Sequence, residues 1–142
     1  MTAINFPNSP TLNQSFTVGT VTYTWNGESW LSSAAASPLA IYTQAGSAYT
    51  AQITDARSVI LFTNSASSTF TIPPESSVAW GYPTTITVIQ QGSGQVTITG
   101  GTGVTVNKNS FFNLKTAGPW STVQLIRIAQ DVWVAMGCLE LA

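Results

Sequence analysis

A chain of 142 residues with four basic and five acidic side chains, a formal net charge of −1 and no histidine is long enough for one sizeable core and a small appendage. With 6% charged residues, against about 25% in ordinary globular proteins, it has no basic patch that could track phosphates, which argues against nucleic-acid binding. The missing histidine removes the usual general base, the Ser-His-Asp and Cys-His arrangements and the commonest transition-metal ligand, while 44% hydrophobic residues and five Trp argue against disorder.

Residues 1–12 have neither a basic start nor an apolar run, so no secretory leader is expected. No segment approaches the ~18 consecutive apolar residues of a membrane span. Residues 4–31 read as a small aromatic β-meander. Pro7 and Pro10 hold its beginning extended or turning. Phe16 and Val18 alternate, Gly19-Thr20 turns, and Val21, Tyr23 and Trp25 share one face of the next strand. Asn26-Gly27 predicts a two-residue type I′ hairpin, and Trp30 completes the return. Such a unit is marginal alone and should pack on something larger. Taking the module as 1–31, the small-residue stretch 32–40, ended by Pro38, reads as a linker.

From residue 41 to 142 the pattern is that of a β-rich main domain. Strands are predicted at 48–53, 59–62, 69–72, 84–89, 95–99, 104–106, 123–128 and 132–136, from β-branched residues repeating with period two. In 84–89, Ile86 and Val88 fall on one face and Thr85, Thr87 and Ile89 on the other; Val96 and Ile98 alternate with Thr97 and Thr99. Gly92-Ser93-Gly94 and Gly100-Gly101 are placed at chain reversals, as glycines of tight hairpin turns. Residues 111–120 read as an irregular connection. The echo between QVTIT and GVTV is too short to establish a repeat. No segment carries helical periodicity for more than two turns, so the fold class is all-β: a small amino-terminal meander followed by a sandwich, jelly-roll or solenoid-like domain.

Little here speaks for catalysis. Glu28, Asp55, Glu75, Asp131 and Glu140 are isolated in sequence; Asp55 and Asp131 read as turn residues, Glu28 as the cap of a hairpin, and Glu75 follows Pro73-Pro74, although a pair meeting in space could still hydrolyse a glycosidic bond. No cluster of acids offers a calcium site. No helix or lysine follows Gly92-Ser93-Gly94 to make a phosphate loop. Cys138, the single cysteine, is expected as a small buried hydrophobe in the last strand. Neither catalytic residues nor a metal or cofactor are therefore expected. The aromatic residues remain. Packing is the expectation for Tyr23, Trp25 and Trp133, whereas Trp80, Tyr82 and Trp120, flanked by Gly and Pro, are candidates for glycan or subunit contact.

Two stretches carry a family resemblance. FPNSPTLNQSF with TYTWNGESW resembles the short FPxSP…YTWDGxxW module of virion structural proteins in tailed phages, especially those infecting cyanobacteria. TFTIPPESSVAWGYPTTITVIQQGSGQVTITGGTGVTV with LIRIAQDVWVAMG looks like the β-rich module at the ends of phage fibre and appendage proteins. The resemblance covers nearly the whole chain apart from the linker and the 111–120 region. It implies a non-enzymatic virion-surface protein, made in the host cytoplasm, trimeric, with other virion proteins as partners. Without a long anchor, coiled coil or shaft, the two-module chain fits a capsid decoration (cement) protein binding the major capsid protein. In that reading Phe6, Phe16, Tyr23, Trp25 and Trp30 form its docking or subunit-stapling surface. The alternative is a short tail-fibre tip that binds host surface glycan through its loop aromatics.

Overall fold

The computed structural model describes residues 4–19, 21–33 and 39–142. It divides into two compact units, Met1–Pro38 and Leu39–Ala142. Residues 34–38 of the expected linker, Pro38 among them, and Thr20 of the first expected turn lie outside the described residues.

In the first unit, β1 (Ser15–Val18), β2 (Val21–Trp25) and β3 (Trp30–Ser33) form an antiparallel three-stranded sheet in sequence order. Phe16 is paired with Tyr23, and Trp25 with Trp30. Because side chains alternate between faces, these four rings point to one side, and Phe6 settles among them. The hairpin between β2 and β3 is wider than the type I′ turn expected from Asn26-Gly27. It spans 26–29, with Gly27 at φ 103°. The Asn26 side chain accepts hydrogen bonds from the Glu28 and Ser29 amides at 2.9 and 2.7 Å, an Asx turn that competes successfully with the two-residue loop.

The second unit is a pair of facing sheets threaded by one winding chain. Its strands are β4 (Ile41–Gln44), β5 (Ala48–Thr50), β6 (Val59–Phe62), β7 (Ser68–Ile72), β8 (Thr85–Gln90), β9 (Val96–Gly100), β10 (Thr105–Asn107), β11 (Phe112–Thr116), β12 (Thr122–Ala129), β13 (Val132–Gly137) and β14 (Leu139–Leu141). One sheet runs β10-β13-β12-β8-β6-β4 and the other β14-β11-β9-β7-β5. From β4 to β9 the chain alternates between the two. β4, β6 and β8 stack in parallel on one side, and β5, β7 and β9 on the other. Three coils of a solenoid result, closed by β11 and β12, which run antiparallel to β9 and β8.

The all-β class expected from the sequence is therefore present, with the two packed layers of a sandwich but the coiled connectivity of a solenoid. Three strands lie where none was expected: β4, β11 and β14. β4 is an edge strand with little burial to pattern it, and Asn113 and Lys115 mask the inward alternation of Phe112, Leu114 and Thr116 in β11. Gly92 and Gly94 serve a different purpose from the one the sequence implied. β8 and β9 belong to different sheets, so residues 91–95 are a corner between layers and not a hairpin. A Cβ on Gly92 would lie 2.1 Å from the Asn64 carbonyl oxygen, and one on Gly94 1.9 Å from that of Ala66. Glycine is needed there because one corner rests directly on the backbone of the corner before it.

The core fills the space between the sheets. Ile60, Phe62, Ile86, Val88, Val123, Leu125 and Trp133 come from one layer, and Phe70, Ile72, Val96, Ile98 and Leu139 from the other. Phe62 and Phe70 meet edge to face across it, with ring centroids 6.3 Å apart. Cys138 does not share this burial. Gly137, at φ 122°, turns the chain after β13 and leaves the thiol exposed in the bend before β14.

Candidate functional site

Three places gather the residues singled out in the sequence. The first is the aromatic face of the amino-terminal unit. Phe6 stacks on Trp30 at 5.4 Å, meets Tyr23 edge to face at 5.0 Å and lies 5.6 Å from Phe16. Trp25 adds to the group through Trp30 at 5.6 Å. All five expected interface rings thus form one cluster. It is thin: no described residue of this unit is buried, and Leu12 and Leu31 are exposed.

The second place is the end of the solenoid closed by residues 73–84, between β7 and β8. Trp80, expected as a surface contact, is instead part of the core and only 4% exposed. Its ring packs edge to face on Trp133 at 5.5 Å, and its indole N–H donates to the Pro73 carbonyl at 3.2 Å. The glycines and prolines around it shape a plug that carries the ring inward. Tyr82 does remain 71% exposed. It lies over the guanidinium of Arg127, 5.8 Å from ring centroid to Cζ, at the separation of a cation–π contact.

Arg127 is the residue that sequence reasoning missed. It is buried, forms an ion pair with Glu75, and donates from Nη1 to the Gly81 carbonyl at 3.1 Å, while its buried Nε has no partner among the described residues. A signal was available: in β12 the inward positions Val123 and Leu125 are followed at the same spacing by Arg127. An arginine in an apolar register calls for a buried counter-charge. Asp131 joins this end by accepting from the Glu75 amide at 2.7 Å. Glu75 and Asp131 are therefore the two acids that folding does bring together. The Glu75 carboxylate is held by Arg127, and Asp131, at φ 52°, fixes the turn between β12 and β13.

The third place is the opposite end, where the chain crosses between sheets. Trp120 is 68% exposed there, and its amide donates to the Gln90 carbonyl. Tyr82 precedes β8 and Trp120 lies against its last residue. At about 3.3 Å per residue, six-residue β8 separates them by roughly 17 Å. The loop aromatics expected to act together do not converge. Beneath Trp120, buried Gln90 donates from Nε2 to the Gly92 carbonyl at 3.0 Å and accepts from the Thr116 hydroxyl.

The other carboxylates are engaged in the framework. Asp55 is buried and accepts from the Tyr49 hydroxyl at 2.8 Å and the Gln52 amide at 2.7 Å. Burial, and next the hydrogen bond to that carboxylate, push the Tyr49 phenol well above its ordinary pKa. Glu140 accepts from Gln95 Nε2 at 3.1 Å and Asn113 Nδ2 at 3.3 Å. The Gln95 bond foremost, then that of Asn113 and the Lys115 charge, hold Glu140 below the usual carboxylate range. Glu28 stays exposed in the first unit's hairpin. Among the described residues no three His, Cys, Asp or Glu side chains gather as a metal site, and no helix is long and apolar enough to cross a membrane. No family model, curated protein or solved structure matches the chain.

Proposed function

We propose that this chain is a non-enzymatic structural protein of a tailed-phage virion, and within that class a decoration protein that binds the outer capsid surface as a homotrimer and stabilises it. The observation that carries the reading is the amino-terminal unit. The segment that resembles the virion module presents its five rings on one face with no buried residue among those described. A meander so thinly cored gains stability from a larger partner surface.

Self-association has separate support. β4 and β5 each end a sheet, Leu39 and Ile41 beside them are exposed, and residues 29–54 contain no charge. Natural edge strands are ordinarily blunted by charge, proline or cover. A cyclic oligomer supplies cover. Many copies bound across capsomer seams would then hold the assembled shell by mass action.

Gold-antibody labelling of purified particles tests the assignment: label scattered over the head is expected. Label confined to the tail would replace it with the fibre-tip reading. Trp25→Ala with Trp30→Ala should abolish capsid binding while light scattering still gives three times the chain mass. Full binding by that double variant would remove the docking role from the aromatic face.

A further inference from the structure

Four of the crossings between the two sheets, residues 45–47, 63–67, 91–95 and 117–121, stack as corners at one end of the strands. Hydrogen bonds run from each to the next. The Thr63 amide donates to the Gln44 carbonyl at 2.9 Å, the Gly94 amide to that of Asn64 at 3.1 Å, and Gln95 Nε2 to that of Thr116 at 2.8 Å. These corners contain Ser, Thr, Asn, Gln, Ala, Gly and Pro, no charged residue, and one aromatic, Trp120.

Trp120 is held at φ 65°, the left-handed region that bulky residues rarely adopt. Its backbone is fixed on both sides. The amide of Trp120 donates to Gln90, the Ser121 amide donates to the Gly118 carbonyl at 3.1 Å, and the Gly118 amide donates to the Ser121 hydroxyl at 3.0 Å. A strained backbone that holds a large apolar ring out in solvent, on a corner hydrogen-bonded to its neighbour, points to use of that ring.

We infer that this corner surface binds neutral saccharide, with Trp120 as the stacking platform and the exposed Gln91 and Ser93 side chains as hydrogen-bonding groups beside it. An indole face suits the C–H face of a sugar ring, and amides and hydroxyls suit its hydroxyl groups. The four corners themselves contain no charge to pair with a sulfate, phosphate or uronate, and the Lys115 charge beside the fourth acts on the Glu140 carboxylate that Gln95 also holds. A protein-docking centre would surround the tryptophan with further apolar and aromatic side chains, whereas its neighbours here are small or polar. The inference stands apart from the virion reading, because the location of the chain on a particle does not enter it.

The test uses the full chain on an array of neutral gluco-, galacto- and manno-oligosaccharides, with dextran sulfate as the charged control. Binding to at least one neutral class is expected. Trp120→Gly should weaken it by about tenfold or more, equivalent to about 1.4 kcal/mol, and Tyr82→Ala should leave it unchanged. Glycine accepts the left-handed backbone without strain, so Trp120→Gly should melt no lower than the wild-type chain, which separates loss of binding from loss of fold. No neutral binding, binding to dextran sulfate alone, or binding indifferent to Trp120→Gly would overturn the proposal.

Discussion

Gly94→Ala tests the rung-stacking geometry directly. The new Cβ would sit 1.9 Å from the Ala66 carbonyl oxygen and 2.4 Å from its carbon, and all three of its nearest neighbours are backbone atoms. Real Cβ contacts essentially never fall below 3.0 Å, so the two corners must part by roughly 1 Å, more than a packed interior absorbs freely. That movement breaks the Gly94–Asn64 backbone bond of 3.1 Å and the Ser93–Ser65 bond of 3.3 Å. Overpacking costs about 1–3 kcal/mol, and each lost hydrogen bond about 0.5–1.5 kcal/mol. A total near 3 kcal/mol lowers the melting temperature of a domain this size by about 10 °C. Urea unfolding followed by tryptophan emission reads the loss, since Trp80 and Trp133 are buried at opposite sides of one ring contact. The comparison that decides the cause is Gly94→Asn, which a positive-φ hairpin turn would tolerate and a close backbone approach would not. Gly118→Ala is the control: nothing lies within 4 Å of its Cβ, and little change is expected. If Gly94→Ala stays within about 0.5 kcal/mol of wild type, the range of an ordinary surface substitution, the stacked-corner geometry is wrong.

Glu75→Gln removes the counter-charge of Arg127, whose side chain is only 7% exposed. A loss of about 3 kcal/mol is expected in the same urea titration, at the low end for a broken buried pair because Glu75 itself is partly exposed; a change below about 1 kcal/mol would contradict it. Tyr49 should make the fold alkali-sensitive. Its folded pKa is raised, so its contribution is fully present below the unfolded value of about 10 and is lost as pH rises through the folded one. Tyr49→Phe should flatten the fall in stability above about pH 10. Cys138 is exposed, and a thiol reagent should label the native chain without denaturant; labelling that requires unfolding would return the thiol to the interior.

How much of this fold could be read from the chain depends on what period-two alternation encodes. It encodes which face of a strand is buried, and Ile86, Val88, Val96 and Ile98 all point inward as expected. It does not encode which strand lies alongside, or in which direction. A glycine-rich stretch between two such strands fits a hairpin and a solenoid corner equally well, and only the neighbouring coil, here the backbone of 64–66, distinguishes them. The coils do not share one period: Ile41 aligns with Val59 and Ala48 with Thr69, steps of 18 and 21 residues, and only the next coil keeps one step in both sheets. Val59 aligns with Thr87 and Thr69 with Thr97, the same 28-residue step in both sheets. The step therefore matches Thr69-Phe70-Thr71 to Thr97-Ile98-Thr99, whereas QVTIT and GVTV belong to one coil and the start of its closure.

The aromatic residues divide along a similar line. Those on alternating strands, Phe16, Tyr23, Trp25 and Trp133, were readable because a strand fixes the face on which a ring emerges. Those in loops were not, because Gly and Pro beside a ring fix only that the chain turns, and not whether the turn carries the ring in or out. Trp80 turns in: Pro73 offers a carbonyl to its indole and Trp133 offers an edge-to-face surface. Trp120 turns out, on a backbone conformation that no local sequence preference for tryptophan would select. The inward ring gains burial and a hydrogen bond that together account for its position. The outward ring gains neither, so what holds it there is the framework around it: the Gly118–Ser121 turn and the Gln90 carbonyl. A fold that constrains the backbone of an exposed tryptophan this closely has fixed where the ring leaves the surface before any partner arrives, which lowers the ordering cost of stacking on a flexible ligand.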